Sequence, residues 1–248
     1  MPLRFAPVLL IASMLGPLVL AADENVEQQA IRSTVRLRLD TVEGDYVVTG
    51  HGSAFGIDLS PYGLGARHFL LSAAHLVLDK KGPGLAQGDL KIELSSKQWT
   101  RCRVTAYDKK LDLCLLQCDS DLDYLCSLER RELSIGDPLL VVGSPAGVPI
   151  CASRGQLVSK DPPVSGKLWE ARAKFWHGNS GGPVFDAAKG TIVGVAVAGV
   201  QDQTGDMARD VALFTPTKEV RNFVQSEAAK LKLAEFAAEF RAPAVIER

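Results

Sequence analysis

The sequence Gly-Asn-Ser-Gly-Gly-Pro at residues 178–183 carries more information about this chain than any other stretch. It follows a segment of period-2 alternation and precedes a Val-Phe run, which predicts a tight turn at the end of a β-strand. Glycines let such a turn direct backbone N–H groups inward, to the place where a substrate oxygen would develop negative charge. The segment therefore predicts a turn that presents the Ser180 hydroxyl as a nucleophile.

Two upstream segments offer the partners that a serine nucleophile needs. His75 ends Ser-Ala-Ala-His at 72–75, and Asp112 opens the apolar run Asp-Leu-Cys-Leu-Leu at 112–116. An imidazole can take the serine proton near neutral pH, and a carboxylate can orient that imidazole. Asp108 competes as the acid but sits in a charged turn, so Asp112 is favoured. His51 and His68 lack a small-residue turn and are predicted to be structural or surface residues.

The order His, Asp, Ser and the three local contexts resemble a trypsin-like serine protease, nearest to the protease domain of HtrA-type enzymes. The resemblance implies an all-β, chymotrypsin-like fold of two six-stranded antiparallel β-barrels. It also implies a catalytic triad of His75, Asp112 and Ser180. The oxyanion hole would be built from the backbone N–H groups of Gly178 and Ser180.

The resemblance also suggests where a substrate side chain would bind. No acidic residue is expected in this pocket, which disfavours an Arg or Lys substrate residue, and the aromatic ring of Phe175 favours small aliphatic residues. Lys174 and His177 leave an acidic preference as the alternative. The predicted substrate-binding residues are Phe175, His177, Val197, Ala198, Gly199 and Val211.

Short β-like runs alternate with turn signals from Ser33 onward, which indicates a sandwich or barrel. The protease domain is predicted over 22–226, with a short helix over 24–32. Helix-favouring residues predict a C-terminal helix over 217–240 that packs on a barrel, followed by a tail at 241–248. This leaves no room for a PDZ domain, a departure from HtrA-type enzymes. Strands are predicted over 34–39, 45–49, 53–57, 68–72, 90–94, 100–107, 112–118, 138–143, 151–158, 169–175, 183–185, 191–198 and 211–215.

The first 21 residues have the pattern of a secretory signal peptide. Arg4 precedes an apolar run, and small residues at Ala21 and Ala22 offer a cleavage site. The alternative is an uncleaved membrane anchor, because the run approaches the length of a bilayer span. The sequence therefore predicts a secreted or periplasmic protein.

Five cysteines and a balanced charge restrict the remaining possibilities. Export makes disulfides plausible, and Cys102 and Cys118 are nearly symmetric about a turn, which suggests a cross-strand bridge. The formal net charge of −1 gives no reason to expect a nucleic-acid partner. No metal-binding motif is present, and neither a metal nor an organic cofactor is expected.

Together these features predict a serine endopeptidase that acts on protein or peptide substrates through an acyl-enzyme. One alternative is a catalytically silent binding module that keeps the fold. Others are an esterase and a membrane-anchored protease that cuts a single regulatory partner. The oligomeric state is left open.

Overall fold

The computed structural model describes residues 25–64, 67–162, 167–201 and 207–239. The predicted signal segment at 1–21 and the tail at 241–248 lie outside these residues. In chain order the elements are α1 (Val26–Ser33), β1 (Thr34–Glu43), β2 (Tyr46–Gly56), β3 (Phe69–Ser72), β4 (Gly88–Glu93), β5 (Trp99–Asp108), β6 (Leu113–Cys118), β7 (Pro138–Gly143), β8 (Cys151–Ser159), β9 (Trp169–Arg172), β10 (Pro183–Asp186), β11 (Thr191–Gln201), β12 (Met207–Pro216) and α2 (Thr217–Glu239).

The strands close into two antiparallel barrels of six strands each, which confirms the predicted fold class. The first has the order β1-β2-β3-β6-β5-β4, and the second has the order β10-β11-β12-β9-β8-β7. Strand β1 alternates because one face is solvated, and it buries Leu37 and Leu39. Strands β3 and β6 are almost continuously buried, which explains their unbroken apolar sequences.

One apolar cluster runs across the contact between the barrels. It includes Phe55, Leu71 and Leu115 from the first barrel and Val142 and Phe185 from the second. Because burial of this shared apolar surface favours association, the loops at the barrel contact are held in a fixed relation. The segments that carry Ser180 and His75 lie beside each other at this contact.

Helix α2 packs on the second barrel through the apolar face expected from its sequence. Val220, Phe223, Val224 and Ala228 are buried, and the helix contacts β11 and β12. Among the described residues, neither helix combines the length and the apolar character needed to cross a membrane.

Three details differ from the sequence-based expectations. The predicted strands 45–49 and 53–57 form one strand, β2, which pairs with β1 from Tyr46 to Phe55. Strand β9 ends at Arg172, where its pairing with β8 ends, although the alternation continues to Phe175. Asp112 lies outside β6 because its φ of +52° is incompatible with a strand.

The predicted bridge between Cys102 and Cys118 is not formed in this structure, where both are free thiols. The two residues nevertheless lie directly opposite each other on β5 and β6. A hydrogen bond from the Cys102 thiol lowers the pKa of Cys118 to about 7. Because Cys102 is the donor in this hydrogen bond, the same contact raises the pKa of the Cys102 thiol. The register prediction is therefore correct, but the covalent bond is absent.

Candidate active site

The 178–183 segment forms the tight turn before β10 that its glycines predict. Gly178 and Gly181 have φ values of +100° and +82°, in the left-handed region that favours glycine. A Cβ at Gly181 would lie 2.2 Å from the carbonyl oxygen of Ser53 and from Oγ of Ser72. Glycine is thus required here because the two barrels approach closely, and the turn leaves Ser180 only 8% exposed.

Ser53 on β2 ties the serine turn to the first barrel. Its backbone N–H donates to the Ser180 carbonyl (2.8 Å), and its hydroxyl donates to the Gly178 carbonyl (2.8 Å). The same Oγ accepts from the Ser144 N–H (2.9 Å), and Ser72 Oγ donates to the Ser53 carbonyl (2.7 Å). No local sequence pattern marks these roles of Ser53, because every one of the contacts is long-range. The sequence predicted Ser53 only as the first residue of a strand over 53–57.

His75 is held by Asp112 through two hydrogen bonds. Oδ1 of Asp112 accepts the backbone N–H of His75 (2.8 Å), and Oδ2 lies 2.6 Å from Nδ1 of the ring. The backbone carbonyl of Asp112 also accepts the Ala74 N–H (3.2 Å). Asp112 therefore holds the short 3-10 turn Ala74–Leu76 through both its side chain and its backbone. A carboxylate at Nδ1 favours the tautomer with a proton there, which leaves Nε2 as the basic nitrogen.

The competing residues have other roles. Oδ1 of Asp108 accepts the N–H groups of Lys110 (2.7 Å) and Leu111 (3.0 Å), so this carboxylate organises the turn before Asp112. Nδ1 of His68 lies 3.4 Å from a carboxylate oxygen of Asp121. The structure therefore brings Asp112, and not Asp108, to His75.

The Ser180 hydroxyl donates to the Val197 carbonyl at 3.3 Å. Within the described residues no hydrogen bond joins this hydroxyl to His75. The serine turn nevertheless lies beside the histidine segment, because a Cβ at Gly181 would be 2.9 Å from the N of Ala73. Catalytic hydrogen bonds are often long or absent until substrate binds.

The backbone amides of the turn divide into bonded and free groups. The Asn179 N–H donates to the Trp176 carbonyl (3.0 Å), and the Gly181 N–H donates to the Ala196 carbonyl (2.7 Å). In the part of the chain that the structure describes, the N–H groups of Gly178 and Ser180 donate to no protein acceptor.

The predicted substrate-binding residues occupy two kinds of position. Phe175 is 2% exposed and packs in the core of the second barrel, whereas His177 is exposed. Val197 is buried and accepts the Ser180 hydroxyl through its carbonyl. Ala198, Gly199 and Val211 are half-buried on β11 and β12. The structure thus brings Val197 to Ser180, with Ala198 and Gly199 next along the same strand.

Other reactive or concave features lie apart from this arrangement. Burial raises the pKa of the Cys114 thiol, so this neighbour of Asp112 stays protonated. Among the described residues, no group of three or more His, Cys, Asp or Glu side chains is arranged to hold a metal ion. A cavity of about 560 Å³ lies between the end of α1, the β4–β5 turn and residues 122–124, and no residue of the predicted site lines it.

Comparisons with known proteins show what this chain is similar to. The family model described as a trypsin-like peptidase domain matches residues 52–195. The magnetosome formation protease MamE of Magnetospirillum gryphiswaldense is 25% identical over 167 residues, covering 64% of this chain and 21% of MamE. An HtrA-like serine protease of Staphylococcus aureus is 25% identical over 182 residues, covering 66% of this chain and 22% of that protein. The chain therefore spans about a fifth of the length of these relatives.

A solved structure, the HtrA-type protease AlgW with a tripeptide, superposes with a TM-score of 0.66 at 22% sequence identity. The superposition covers 82% of this chain and 62% of that structure. It shows a shared fold.

Proposed function

The chain belongs to the family of trypsin-like peptidase domains, and we propose that it is a serine endopeptidase that uses His75, Asp112 and Ser180. The observation that carries the proposal is the pair of hydrogen bonds that His75 donates to the Asp112 carboxylate, one from its backbone N–H and one from Nδ1, which fixes both the backbone and the ring of the histidine. The position of His75 at the barrel contact, beside the glycine turn that carries Ser180, supports a nucleophile and a base in one site.

The proposed reaction begins when substrate displaces the Ser180 hydroxyl from the Val197 carbonyl. Oγ attacks the scissile carbonyl carbon, and its proton passes to Nε2 of His75. Asp112 stabilises the resulting imidazolium through Nδ1–H. His75 then gives the proton to the leaving amine, which departs and leaves an acyl-enzyme on Ser180. A water molecule, deprotonated by His75, releases the acid and restores the serine.

The free amides support an oxyanion hole at Gly178 and Ser180. In this role both N–H groups would donate to the carbonyl oxygen as it becomes an alkoxide. Donors that are already oriented need little reorganisation during the reaction, and one such donor typically contributes about 3 kcal/mol to the transition state. Two features favour glycine at position 178 of this turn. Its φ of +100° lies in the left-handed region, and a Cβ there would lie 2.2 Å from the Ser144 carbonyl oxygen.

For specificity we propose a small aliphatic residue on the acyl side of the scissile bond. Buried Phe175 would fill the floor of a pocket whose wall is Val197 to Gly199, with Val211 on the next strand and His177 at the rim. A filled floor leaves room for Ala or Val but not for a long cationic side chain. Exposed Lys174 and His177 keep an acidic preference as the alternative.

A fluorophosphonate probe followed by a peptide library tests both proposals. We expect covalent label on the peptide that contains Ser180, and cleavage after Ala or Val at least about tenfold faster than after Arg or Lys. Absence of label from the folded protein would favour a silent binding module. Label and ester turnover without cleavage of any protein would favour an esterase. Faster cleavage after Asp or Glu would replace the aliphatic preference.

Export to a secreted or periplasmic location remains our proposal for the cellular setting, and it rests on the N-terminal sequence pattern. Cell fractionation with N-terminal sequencing tests it. A chain that begins near Ala22 supports cleavage and export. A membrane fraction that retains Arg4 supports an anchored protease instead.

In such an oxidising compartment we propose that Cys102 and Cys118 form a disulfide bond. A low-molecular-weight disulfide is the oxidant: it takes the two thiol hydrogens and is reduced to two thiols. With oxidised glutathione we expect the protein to lose two hydrogen atoms in mass. The closed loop of about 15 residues should add about 3 kcal/mol to the free energy of unfolding. Cys118→Ser should abolish both effects, whereas Cys151→Ser, at an exposed cysteine, should abolish neither. Retention of both thiols under oxidation would contradict the proposal.

A further inference from the structure

Hydrogen bonds hold the backbone on both sides of Asp112. The hydroxyl of Thr215, on β12 of the second barrel, donates to the Leu111 carbonyl at 2.7 Å. The Asp112 carbonyl accepts the Ala74 N–H at 3.2 Å. Because each peptide unit is planar, these two contacts restrain the two peptide planes that meet at the Cα of Asp112. The first contact restrains the plane on the φ side of this residue, and the second restrains the plane on the ψ side.

This restraint matters because Asp112 has an unfavourable backbone conformation. Its φ of +52° lies in the left-handed region. A residue other than glycine persists there only where the surrounding structure holds it. The same conformation aims the carboxylate at two groups of His75, the backbone N–H and Nδ1. Rotation of the Leu111–Asp112 peptide toward a negative φ would swing the carboxylate away from the imidazole.

Thr215 lies on the pair of strands that also holds the serine turn. Ala196 on β11 exchanges two hydrogen bonds with that turn: it accepts the Gly181 N–H (2.7 Å) and donates to the Gly182 carbonyl (2.9 Å). Val195, the preceding residue of β11, is paired with Thr215 on β12. The acid and the nucleophile come from different barrels, yet both are anchored at adjacent positions of one strand pair.

The Thr215 hydroxyl acts in a place that solvent does not reach. Thr215 is 0% exposed, and Leu111 is also buried. Water is therefore not at hand to replace the hydroxyl as a donor. Valine has the branched shape of threonine without the hydroxyl, so it would leave the buried Leu111 carbonyl without this hydrogen bond.

We propose that Thr215 is a positioning residue for the acid of the triad, because its hydroxyl holds the Leu111–Asp112 peptide in the orientation that brings the carboxylate to His75. The inference rests on the proposed endopeptidase function. Thr215 is fully buried, so it acts on the reaction only through Asp112. Removal of the hydroxyl should slow the chemical step and leave substrate binding unchanged.

Thr215→Val tests the proposal, and Thr217→Val is the matched control. Thr217 is also buried, and its hydroxyl donates at 2.9 Å to the Val193 carbonyl of the same barrel, away from Asp112. We expect Thr215→Val to lower kcat for an Ala-containing peptide by about tenfold, with KM within about twofold of the wild type. Thr217→Val should keep kcat within about twofold, although both variants should lose a similar amount of stability, measured as Tm. Thr215→Ser keeps the hydroxyl and should keep kcat.

The Nδ1 proton of His75 provides a readout that a loss of stability alone would not move. A proton in a hydrogen bond as short as the 2.6 Å contact between Nδ1 and Oδ2 of Asp112 is strongly deshielded, so it resonates far downfield in the proton NMR spectrum. At a temperature where all variants are folded, we expect Thr215→Val to move this signal upfield or to remove it. Thr217→Val should leave the signal in place.

The outcomes separate this inference from the proposed function. Failure of the folded wild-type protein to label with fluorophosphonate would count against the endopeptidase itself. Normal labelling of the wild type, with unchanged kcat in Thr215→Val or with equal losses of kcat in the two valine variants, would overturn the positioning role alone. A loss in Thr215→Ser as large as that in Thr215→Val would also overturn it. Thr215→Ala, which removes the same hydroxyl, carries the same expectations if the valine variant does not fold.

Discussion

Replacing Ser180 with alanine is expected to lower kcat for peptide cleavage by about 10⁶-fold and to abolish fluorophosphonate labelling. The change removes the only atom of this turn that attacks the substrate in the proposed reaction. His75→Ala should cost about as much, because Oγ without its base is a poor nucleophile. The double variant should be no slower than either single variant, since both residues act in one step. Single-turnover cleavage of an Ala-containing peptide measures all three.

Exposed Ser127 provides a control for the serine change. Ser127→Ala should retain full labelling and cleavage. The Ser180→Ala protein should also keep its stability, because Oγ makes one long hydrogen bond to the Val197 carbonyl. An additive loss in the double variant would contradict a shared proton transfer. Residual cleavage near wild-type rates in Ser180→Ala would assign the chemistry to another residue.

The sequence predicted the fold and the local backbone of the serine turn well, for physical reasons. Period-2 alternation and closely spaced turn signals reflect half-buried antiparallel strands, so they identified most strands of both barrels. The glycines at 178 and 181 reflect backbone angles that other residues adopt at a cost, so the serine turn was visible in the sequence. Symmetry about one turn was enough to place Cys102 opposite Cys118.

Long-range contacts were not visible in the sequence. Ser53 connects β2 to the serine turn and to Ser144, which lie far away in the chain, so no local pattern marks it. Two strands were predicted, over 45–49 and 53–57, but the chain continues as one strand because β1 pairs with it from Tyr46 to Phe55. The direction of the Ser180 hydroxyl, toward Val197 and not His75, depends on rotamer choice and has no sequence signal.

Asp112→Asn is expected to lower kcat by about 10⁴-fold while leaving the fold intact. Asparagine adopts left-handed backbone angles at least as readily as aspartate, so the φ of +52° is preserved. The side-chain carbonyl can still accept the His75 backbone N–H. The amide NH₂ would then face Nδ1 and donate to it, which moves the ring proton to Nε2. A protonated Nε2 cannot accept the serine proton, so the base is lost although the geometry remains.

The contrast between kcat and stability distinguishes this role from a structural one. Asp108→Asn is the matched control, because Asp108 accepts the two turn N–H groups without contacting His75. We expect that variant to keep kcat within about threefold, with a small loss of stability. Asp112→Asn should show the reverse, a large loss of kcat with little change in Tm. Equal losses of kcat in the two variants would mean that turn geometry, and not the tautomer of His75, limits the reaction. A loss of only a few-fold in Asp112→Asn would show that the imidazole keeps its basic nitrogen without the carboxylate.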